Sequence, residues 1–183
     1  MSVTFTRATR ASHTSSIAFT GAGGKTTALF LLAKELSKDT PVIVTASSHL
    51  AEWQIALADK HIIVESPDEL ENTETKVSGI TLITGALDGN RTKPLGEISL
   101  NKLNEFCKSH SVPLLIEADG SRQKPLKAWA KHEPPIPSFV NQVVHVVGLT
   151  GIGKLLNEEN IHRPEIFSAL SGLKIGEVIT PDS

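Results

Sequence analysis

The chain has 183 residues, 39% of them hydrophobic, which is enough to build the core of one domain. A formal net charge of −2 argues against a general nucleic-acid binder or a protein held on an anionic membrane, because both classes are basic. The single cysteine, Cys107, excludes an intramolecular disulfide and two-cysteine zinc motifs, and no apolar run reaches the roughly 20 residues of a membrane span. The composition predicts a soluble, cytoplasmic protein without nucleic-acid or membrane partners.

The first clear pattern begins at residue 17. Residues 1–16 are rich in Thr, Ser and Arg and lack the apolar segment of a signal peptide, so we expect an irregular, polar N-terminal arm. From Ile17 a short apolar run leads to three closely spaced glycines, and helical spacing of leucines follows up to about Ser37. Residues 17–183 are therefore predicted to form one domain that starts with a strand, a loop and a helix.

The loop between that strand and helix is called the glycine loop below. It has the composition of a phosphate-binding loop, in which glycines let N–H groups crowd around an anion and the helix N-terminus adds positive charge. Its residues are Gly21, Ala22, Gly23, Gly24, Lys25, Thr26 and Thr27. Lys25 could reach the outer phosphates, and the Thr26 hydroxyl suits Mg²⁺. We therefore predict that the glycine loop binds ATP or GTP together with Mg²⁺.

The match to known glycine motifs is incomplete. In the pattern G-x-x-x-x-G-K-[ST] the first glycine would fall on Phe19, a conflict that a tighter loop turning at Gly21 would remove. The dinucleotide pattern G-x-G-x-x-G has Thr26 at its third glycine, and no acidic residue follows about 20 residues later. An ordinary strand–turn–helix junction is the remaining alternative. The position of Gly-Lys-Thr-Thr between strand and helix favours phosphate binding over it.

The rest of the chain alternates apolar runs with amphipathic segments. Strands are predicted at 42–44, 62–64, 80–84, 113–118 and 143–147, with a short strand starting at 177–180. Helices are predicted at 50–59, 67–70, 100–107 and 163–170, and a polar loop at 85–96. This alternation predicts an α/β fold of the P-loop NTPase type, with three α/β/α layers and a mostly parallel sheet.

Two acidic residues follow the most apolar predicted strand. Glu117 and Asp119 come at its carboxyl end, where ligands collect in open α/β sheets. We predict that Glu117 joins Thr26 in holding Mg²⁺, and that Lys25, Glu117 and Asp119 form the catalytic set. Lys25 would stabilise transition-state charge, and the acids would position the attacking group. A strand that ends in solvated acids is the alternative.

Three cations follow the acids at Arg122, Lys124 and Lys127. They could clamp phosphates or an anionic substrate, although a charge run of this kind is as often a solvated face. His49 ends the second strand on the same predicted edge and is a weaker candidate for a catalytic base. The other histidines considered, His132, His145 and His162, fit no standard metal motif.

A second glycine motif at residues 148–154 also matches G-x-x-x-x-G-K after a strand. Leu155 stands where a hydroxyl should meet Mg²⁺, and acidic residues follow at Glu158 and Glu159. We therefore expect a turn beside the glycine loop rather than a second phosphate site.

Beyond the glycine loop, the chain contains several short motifs, each of which occurs once. They are residues 45–49, Glu117-Ala118-Asp119-Gly120-Ser121-Arg122, Lys124-Pro125-Leu126-Lys127, His132-Glu133-Pro134, Val146-Val147-Gly148-Leu149 with Gly153-Lys154, and His162-Arg163-Pro164-Glu165. Together with the glycine loop they resemble the YqeC family of selenium-dependent hydroxylase accessory proteins, over residue 17 to the end of the chain. The motifs Glu-Ala-Asp-Gly-Ser-Arg and His-Arg-Pro-Glu are more specific than the glycine loop.

The resemblance implies a nucleotide-binding protein that acts with a partner in maturing selenium-dependent molybdenum hydroxylases. Two departures from the family pattern stand out. Ala46 occupies a place where threonines are usual, and the chain ends at Ser183, where family members continue into further strands and a base-recognition segment. The resemblance therefore also implies a shortened member or a fragment, with the choice between ATP and GTP left open.

Three functions remain open at this stage. The first is a Mg²⁺-dependent NTPase in cofactor delivery. The second is a kinase or ATP-dependent ligase that acts on a small anionic substrate. The third is a non-catalytic protein that recruits a partner when nucleotide orders its loops.

Overall fold

The computed structural model describes residues 4–70 and 77–183, which form an α/β fold. The strands in these two ranges are β1 (Ser16–Gly21), β2 (Val42–Ala46), β3 (Lys60–Ile63), β4 (Ile80–Thr84), β5 (Leu87–Asp88), β6 (Arg91–Thr92), β7 (Leu114–Glu117), β8 (Leu126–Lys127), β9 (Gln142–Val146) and β10 (Ile161–His162). The α-helices are α1 (Phe5–Thr9), α2 (Lys25–Leu36), α3 (Glu97–His110) and α4 (Pro164–Ser171). None of the described helices is long and apolar enough to cross a bilayer.

Six strands form the central sheet in the order β3-β4-β2-β7-β1-β9, and every neighbouring pair is parallel. Successive side chains of a strand point to opposite faces. In β2, Val42 and Val44 pack in the core that contains α2, whereas Ile43 packs in the core that contains α3. Because both faces of the sheet are covered, its central strands are continuous apolar runs. The prediction of a three-layer α/β/α fold with a mostly parallel sheet is confirmed.

The sheet brings three predicted strand ends to one edge. Strand β7 lies between β2 and β1, and Glu117 is in register with both Ala46 and Phe19. Because all three strands are parallel, their carboxyl ends face the same side of the sheet. The first, second and fifth apolar runs of the sequence therefore lie side by side in the sheet.

A small third core lies in the C-terminal part of the chain. Strands β8 and β10 pair in parallel, and Leu126, Leu156, Ile161 and Ile179 are buried together. The short strand predicted to start at 177–180 is not formed. Among these four residues only Val178 forms a β-bridge, an isolated one to Leu155. Ile179 is held by this small core rather than by the central sheet.

Three predicted segments, 50–59, 67–70 and 85–96, differ from the structure. The helix predicted at 50–59 is a 3-10 helix, Glu52–Leu57, because Ala51 pairs with Arg91 and donates its N–H to Gln54 Oε1 at 2.7 Å. The loop at 85–96 contains the antiparallel pair β5–β6. A second 3-10 helix spans Leu149–Gly151, and residues 67–70 form a 3-10 turn.

The N-terminal segment is more ordered than the irregular arm that its composition predicted. Thr4 caps α1 by accepting the Arg7 N–H, and the helix docks on α2. The carboxylate of Glu35 accepts the N–H groups of Phe5 at 3.0 Å and Thr6 at 2.6 Å. Residues 1–3 of the predicted arm lie outside the described residues.

This docking is expected to weaken in acid. The backbone hydrogen bonds from Thr6 and then Phe5 lower the pKa of Glu35. The stabilisation is therefore complete above the ordinary glutamate pKa and is lost as pH falls through the lowered folded-state pKa. Hydrogen exchange of the Phe5 and Thr6 amides should accelerate at acid pH beyond its intrinsic trend. Glu35→Gln should remove that excess, and an unchanged excess in the variant would contradict this assignment.

Candidate functional site

The glycine loop joins β1 to α2 at the carboxyl edge of the sheet. Its glycines at 21, 23 and 24 have φ of 97°, 74° and 130°, a region that side chains disfavour. A Cβ on Gly23 would lie 2.4 Å from the Gly148 Cα atom and 2.7 Å from the Pro125 carbonyl oxygen. The loop therefore requires glycine both for its turn and for its contact with residues 125 and 148. The tighter loop turning at Gly21 is the conformation that the structure has.

Several N–H groups of the glycine loop have no backbone acceptor among the described residues. The Ala22 N–H donates to Val146 O at 2.9 Å, and the first bond of α2 runs from the Ala28 N–H to Gly24 O. Within residues 4–70 and 77–183, the five N–H groups from residue 23 to residue 27 have no backbone acceptor. Three of them open α2, where free donors and the helix dipole favour an anion.

Lys25 is held inward against the base of the loop. Its Nζ donates to Gly21 O at 2.8 Å and lies 3.3 Å from Asp119 Oδ1, with only 4% of the side chain exposed. Lys25 and Asp119 thus meet at the same edge of the sheet, and the catalytic role of Lys25 stays a prediction. An anion at the loop would compete with Asp119 for this ammonium group.

Asp119 is a buried residue with several polar partners. Its Oδ2 accepts the Gly21 N–H at 3.1 Å, Lys127 Nζ at 3.0 Å and Trp129 Nε1 at 2.7 Å. Its Oδ1 accepts no hydrogen bond within the described ranges, and the residue is 1% exposed. Asp119 thus ties the loop to the segment that follows β7. Its predicted catalytic role stays a prediction.

Glu117 and Thr26 meet in front of the loop. The Thr26 hydroxyl donates to Glu117 Oε2 at 2.8 Å and accepts a hydrogen bond from Gln54 Nε2 at 2.6 Å. Burial raises the pKa of Glu117, although the nearby Lys25 opposes this effect. Gln54 was missed by the sequence analysis, since no motif distinguishes it from the other polar residues of its segment.

The oxygen atoms of Thr26 and Glu117 fit the predicted Mg²⁺. Hard cations prefer oxygen ligands, and Mg²⁺ commonly uses one or two protein ligands with phosphate and water supplying the rest. The described residues hold no cluster of three or more His, Cys, Asp or Glu side chains suited to a metal ion. A divalent cation here would therefore depend on phosphate oxygens, and it would relieve the cost of a buried Glu117 carboxylate.

A cavity of about 270 Å³ opens in front of the loop. We call it the loop cavity. It is lined by residues of the glycine loop, by Glu117, and by His49, Trp53, Gln54, Arg91, Arg122 and Lys124. Trp53 is 59% exposed, an unusual state for a large aromatic residue. Neither Trp53 nor Arg91 was predicted, because both belong to segments without a recognised motif.

The predicted substrate cations divide into two groups. Arg122 and Lys124 line the loop cavity, and their predicted contact with an anionic substrate stays a prediction. Lys127 does not line it, because its ammonium group, in a side chain that is 1% exposed, binds Asp119 and donates to Gly120 O at 2.8 Å. The substrate contact predicted for Lys127 stays untested, and its observed partners place it within the Asp119 junction.

The second glycine motif lacks the shape of a phosphate loop. A 3-10 helix, Leu149–Gly151, follows β9, and the Gly153 N–H donates to Ile179 O at 2.8 Å. Lys154 is exposed and is followed by a bridge at Leu155 instead of a helix. Gly148 packs against Gly23. The expected turn beside the glycine loop is confirmed.

Comparison with known proteins gives two matches. The family model described as YqeC protein matches residues 17–165. The protein named "Uncharacterized protein YqeC" of Escherichia coli (strain K12) is 31% identical over 182 residues, covering 91% of this chain and 62% of that protein. The chain thus spans about three-fifths of the length of this relative. No solved structure matches the chain. On the family-model match, the chain belongs to the YqeC family.

Proposed function

We propose that this protein is a Mg²⁺-dependent P-loop nucleotide-binding protein that hydrolyses ATP or GTP. The observation that carries the proposal is the run of five N–H groups, residues 23–27, that have no backbone acceptor in the described part of the chain. This run includes the start of α2 and lines the loop cavity. Such a run binds phosphate oxygens, because each donor gains an acceptor and the helix dipole favours the negative charge. An ordinary strand–turn–helix junction would not need Lys25, Thr26 and Glu117 at the same cavity.

Each side chain has a role that follows from its position. The ammonium group of Lys25 lies 3.3 Å from Asp119 Oδ1. When nucleotide fills the cavity, this group would form an ion pair with the outer phosphates. Gln54 and Glu117 orient the Thr26 hydroxyl for a metal ligand. Mg²⁺, when bound, would neutralise charge on the phosphates. Arg122 and Lys124, which also line the cavity, would add positive charge.

Nucleotide turnover would serve the accessory role that the family resemblance implies. In that role the protein would use hydrolysis to drive a step in the maturation of a selenium-dependent molybdenum hydroxylase. Phosphate release without any partner would favour an NTPase over an enzyme that requires a second substrate.

The proposal is tested by titrating ATP and GTP with and without Mg²⁺. We expect saturable heats in calorimetry and a change in the fluorescence of Trp53, which lines the loop cavity. Glu117→Gln should shift the Mg²⁺ dependence of binding to higher concentration by about tenfold, since a charged ligand is lost. Trp53→Phe controls the origin of the optical signal. Absence of nucleotide binding would refute the proposal, and a normal Mg²⁺ response in Glu117→Gln would remove that residue from the metal site.

A further inference from the structure

A second cavity, of about 430 Å³, lies beside the loop cavity and is called the basic cavity here. Its walls carry the cations Arg122, Lys124 and Arg163, together with His162. Two acids, Glu158 and Glu165, also line it. Cationic groups thus outnumber the acids, and a guanidinium group can bind a carboxylate or phosphate through two parallel hydrogen bonds.

The two cavities share one wall. Arg122 and Lys124 line both of them, at a turn closed by the Lys124 N–H and Ser121 O at 3.0 Å. Arg122 and Gln123 have φ of 50° and 62°, and two consecutive left-handed residues other than glycine are uncommon. Such conformations persist where the surrounding structure imposes them, often at ligand sites. The Arg122 side chain has no ion-pair partner among the described residues.

A chain of charged side chains connects the glycine loop to the basic cavity. Lys127 Nζ lies 3.0 Å from Asp119 Oδ2 and 3.7 Å from Glu133 Oε2, and Glu133 pairs with Arg163. Asp119 in turn contacts Lys25. The guanidinium group of Arg163 is therefore oriented by the same network that holds the base of the glycine loop, so the basic cavity is built into this network.

The electrostatic environment of His162 agrees with an anion site. Burial is the main cause that lowers the pKa of His162, and Arg163, Lys127 and Arg122 lower it further, against a smaller opposite effect of Glu133. Each of these three cations disfavours a further positive charge at this point. A bound anion would offset their field and accept hydrogen bonds from the groups on the cavity wall.

We propose that the basic cavity binds the carboxylate or phosphate group of a small second ligand. That this ligand binds beside a nucleotide rests on the proposed function, whereas the anion site depends only on the residues that line the basic cavity. Because Arg122 and Lys124 face both cavities, the ligand would lie next to the phosphates of a nucleotide in the loop cavity.

The proposal can be tested by NMR titration of the whole chain. The probes are inorganic phosphate and, separately, succinate, both at constant ionic strength. We expect saturable chemical-shift changes at the amides of His162 and Arg163. Tighter binding of phosphate would indicate a phosphate ligand, and tighter binding of succinate would indicate a carboxylate ligand. Amides of residues 23–26 report the loop cavity independently when Mg²⁺ and ATP are added. The two sets of signals therefore separate failure of this proposal from failure of the proposed function.

Variants make the test specific. Lys124→Gln should weaken binding of the better probe by about tenfold, because a charge-assisted contact is lost. Glu165→Gln should strengthen binding of the same probe about twofold, because a negative charge that repels the anion is removed. A misfolded site could not give tighter binding, so this variant also controls for folding. Lys174→Ala, a change of an exposed cation that lines neither cavity, should leave binding unchanged. Unsaturated shifts, or equal effects of Lys124→Gln and Lys174→Ala, would overturn the proposal.

Discussion

Replacing Lys25 with alanine is expected to weaken the binding of ATP or GTP by about 1.5–3 kcal/mol, which is the usual value of a hydrogen bond to a charged group. Lys25 is the first residue of α2, and its Nζ atom lies between Gly21 O and Asp119 Oδ1. A phosphate group would replace Asp119 as its anion. Calorimetry with Mg²⁺ and each nucleotide measures the loss directly.

Lys154→Ala is the matched control, because it removes a lysine of the second glycine motif. Lys154 is exposed and lines neither cavity, so nucleotide binding should stay within about twofold of the wild type. The Lys25→Ala protein should still fold, since Asp119 keeps Lys127 and two N–H donors. Equal losses from both changes would mean that the two glycine motifs have been ranked wrongly.

The sequence was most informative where one short segment determines its own structure. Residues 17–27 predict a strand, a glycine turn and a helix without reference to the rest of the chain, and all three are present. The apolar runs at β2 and β7 likewise predict buried parallel strands. The approach of Lys25 to Asp119 also followed, since parallel strands bring their carboxyl ends to one edge.

Contacts between distant side chains could not be predicted in the same way. Gln54 reaches Thr26 from a 3-10 helix that the hydrophobic pattern presented as an α-helix. Lys127 appeared equivalent to Arg122 and Lys124 in a run of cations, yet only Lys127 turns inward to Asp119. Nothing local distinguishes an internal lysine from a solvated one, because the difference depends on how residues 119–133 pack over the loop.

Asp119→Asn is expected to lower the free energy of unfolding by about 3–5 kcal/mol, the usual cost of leaving a buried charge without its partner. Asp119 lies between two buried ammonium groups, those of Lys25 and Lys127, whose side chains are 4% and 1% exposed. Asparagine can still accept the Gly21 N–H, so the change tests charge more than shape. Urea denaturation measures the loss. If Asp119 also positions the attacking group, turnover should fall in the folded variant while nucleotide still binds.

Glu117→Gln provides the comparison, since it makes the same chemical change two residues earlier. Burial raises the pKa of Glu117, so its charged form is not stabilised overall by the protein and a neutral amide should cost about 1 kcal/mol or less. Equal destabilisation by the two changes would contradict the view of Asp119 as the charged junction.

A double variant separates the lost ion pair from a general disturbance of the site. Lys127→Met removes the ammonium group that Asp119→Asn would leave buried, and methionine has a similar length and flexibility. Lys127 also contacts Gly120 O and Glu133, so the single change should itself destabilise the protein. In the double variant Lys25 and the N–H of Gly21 still face a polar amide, and only one charge is left unbalanced. We therefore expect the two losses to be less than additive by at least about 1 kcal/mol. Additive losses would mean that the 3.0 Å contact between Lys127 Nζ and Asp119 Oδ2 contributes no coupling energy to the folded state.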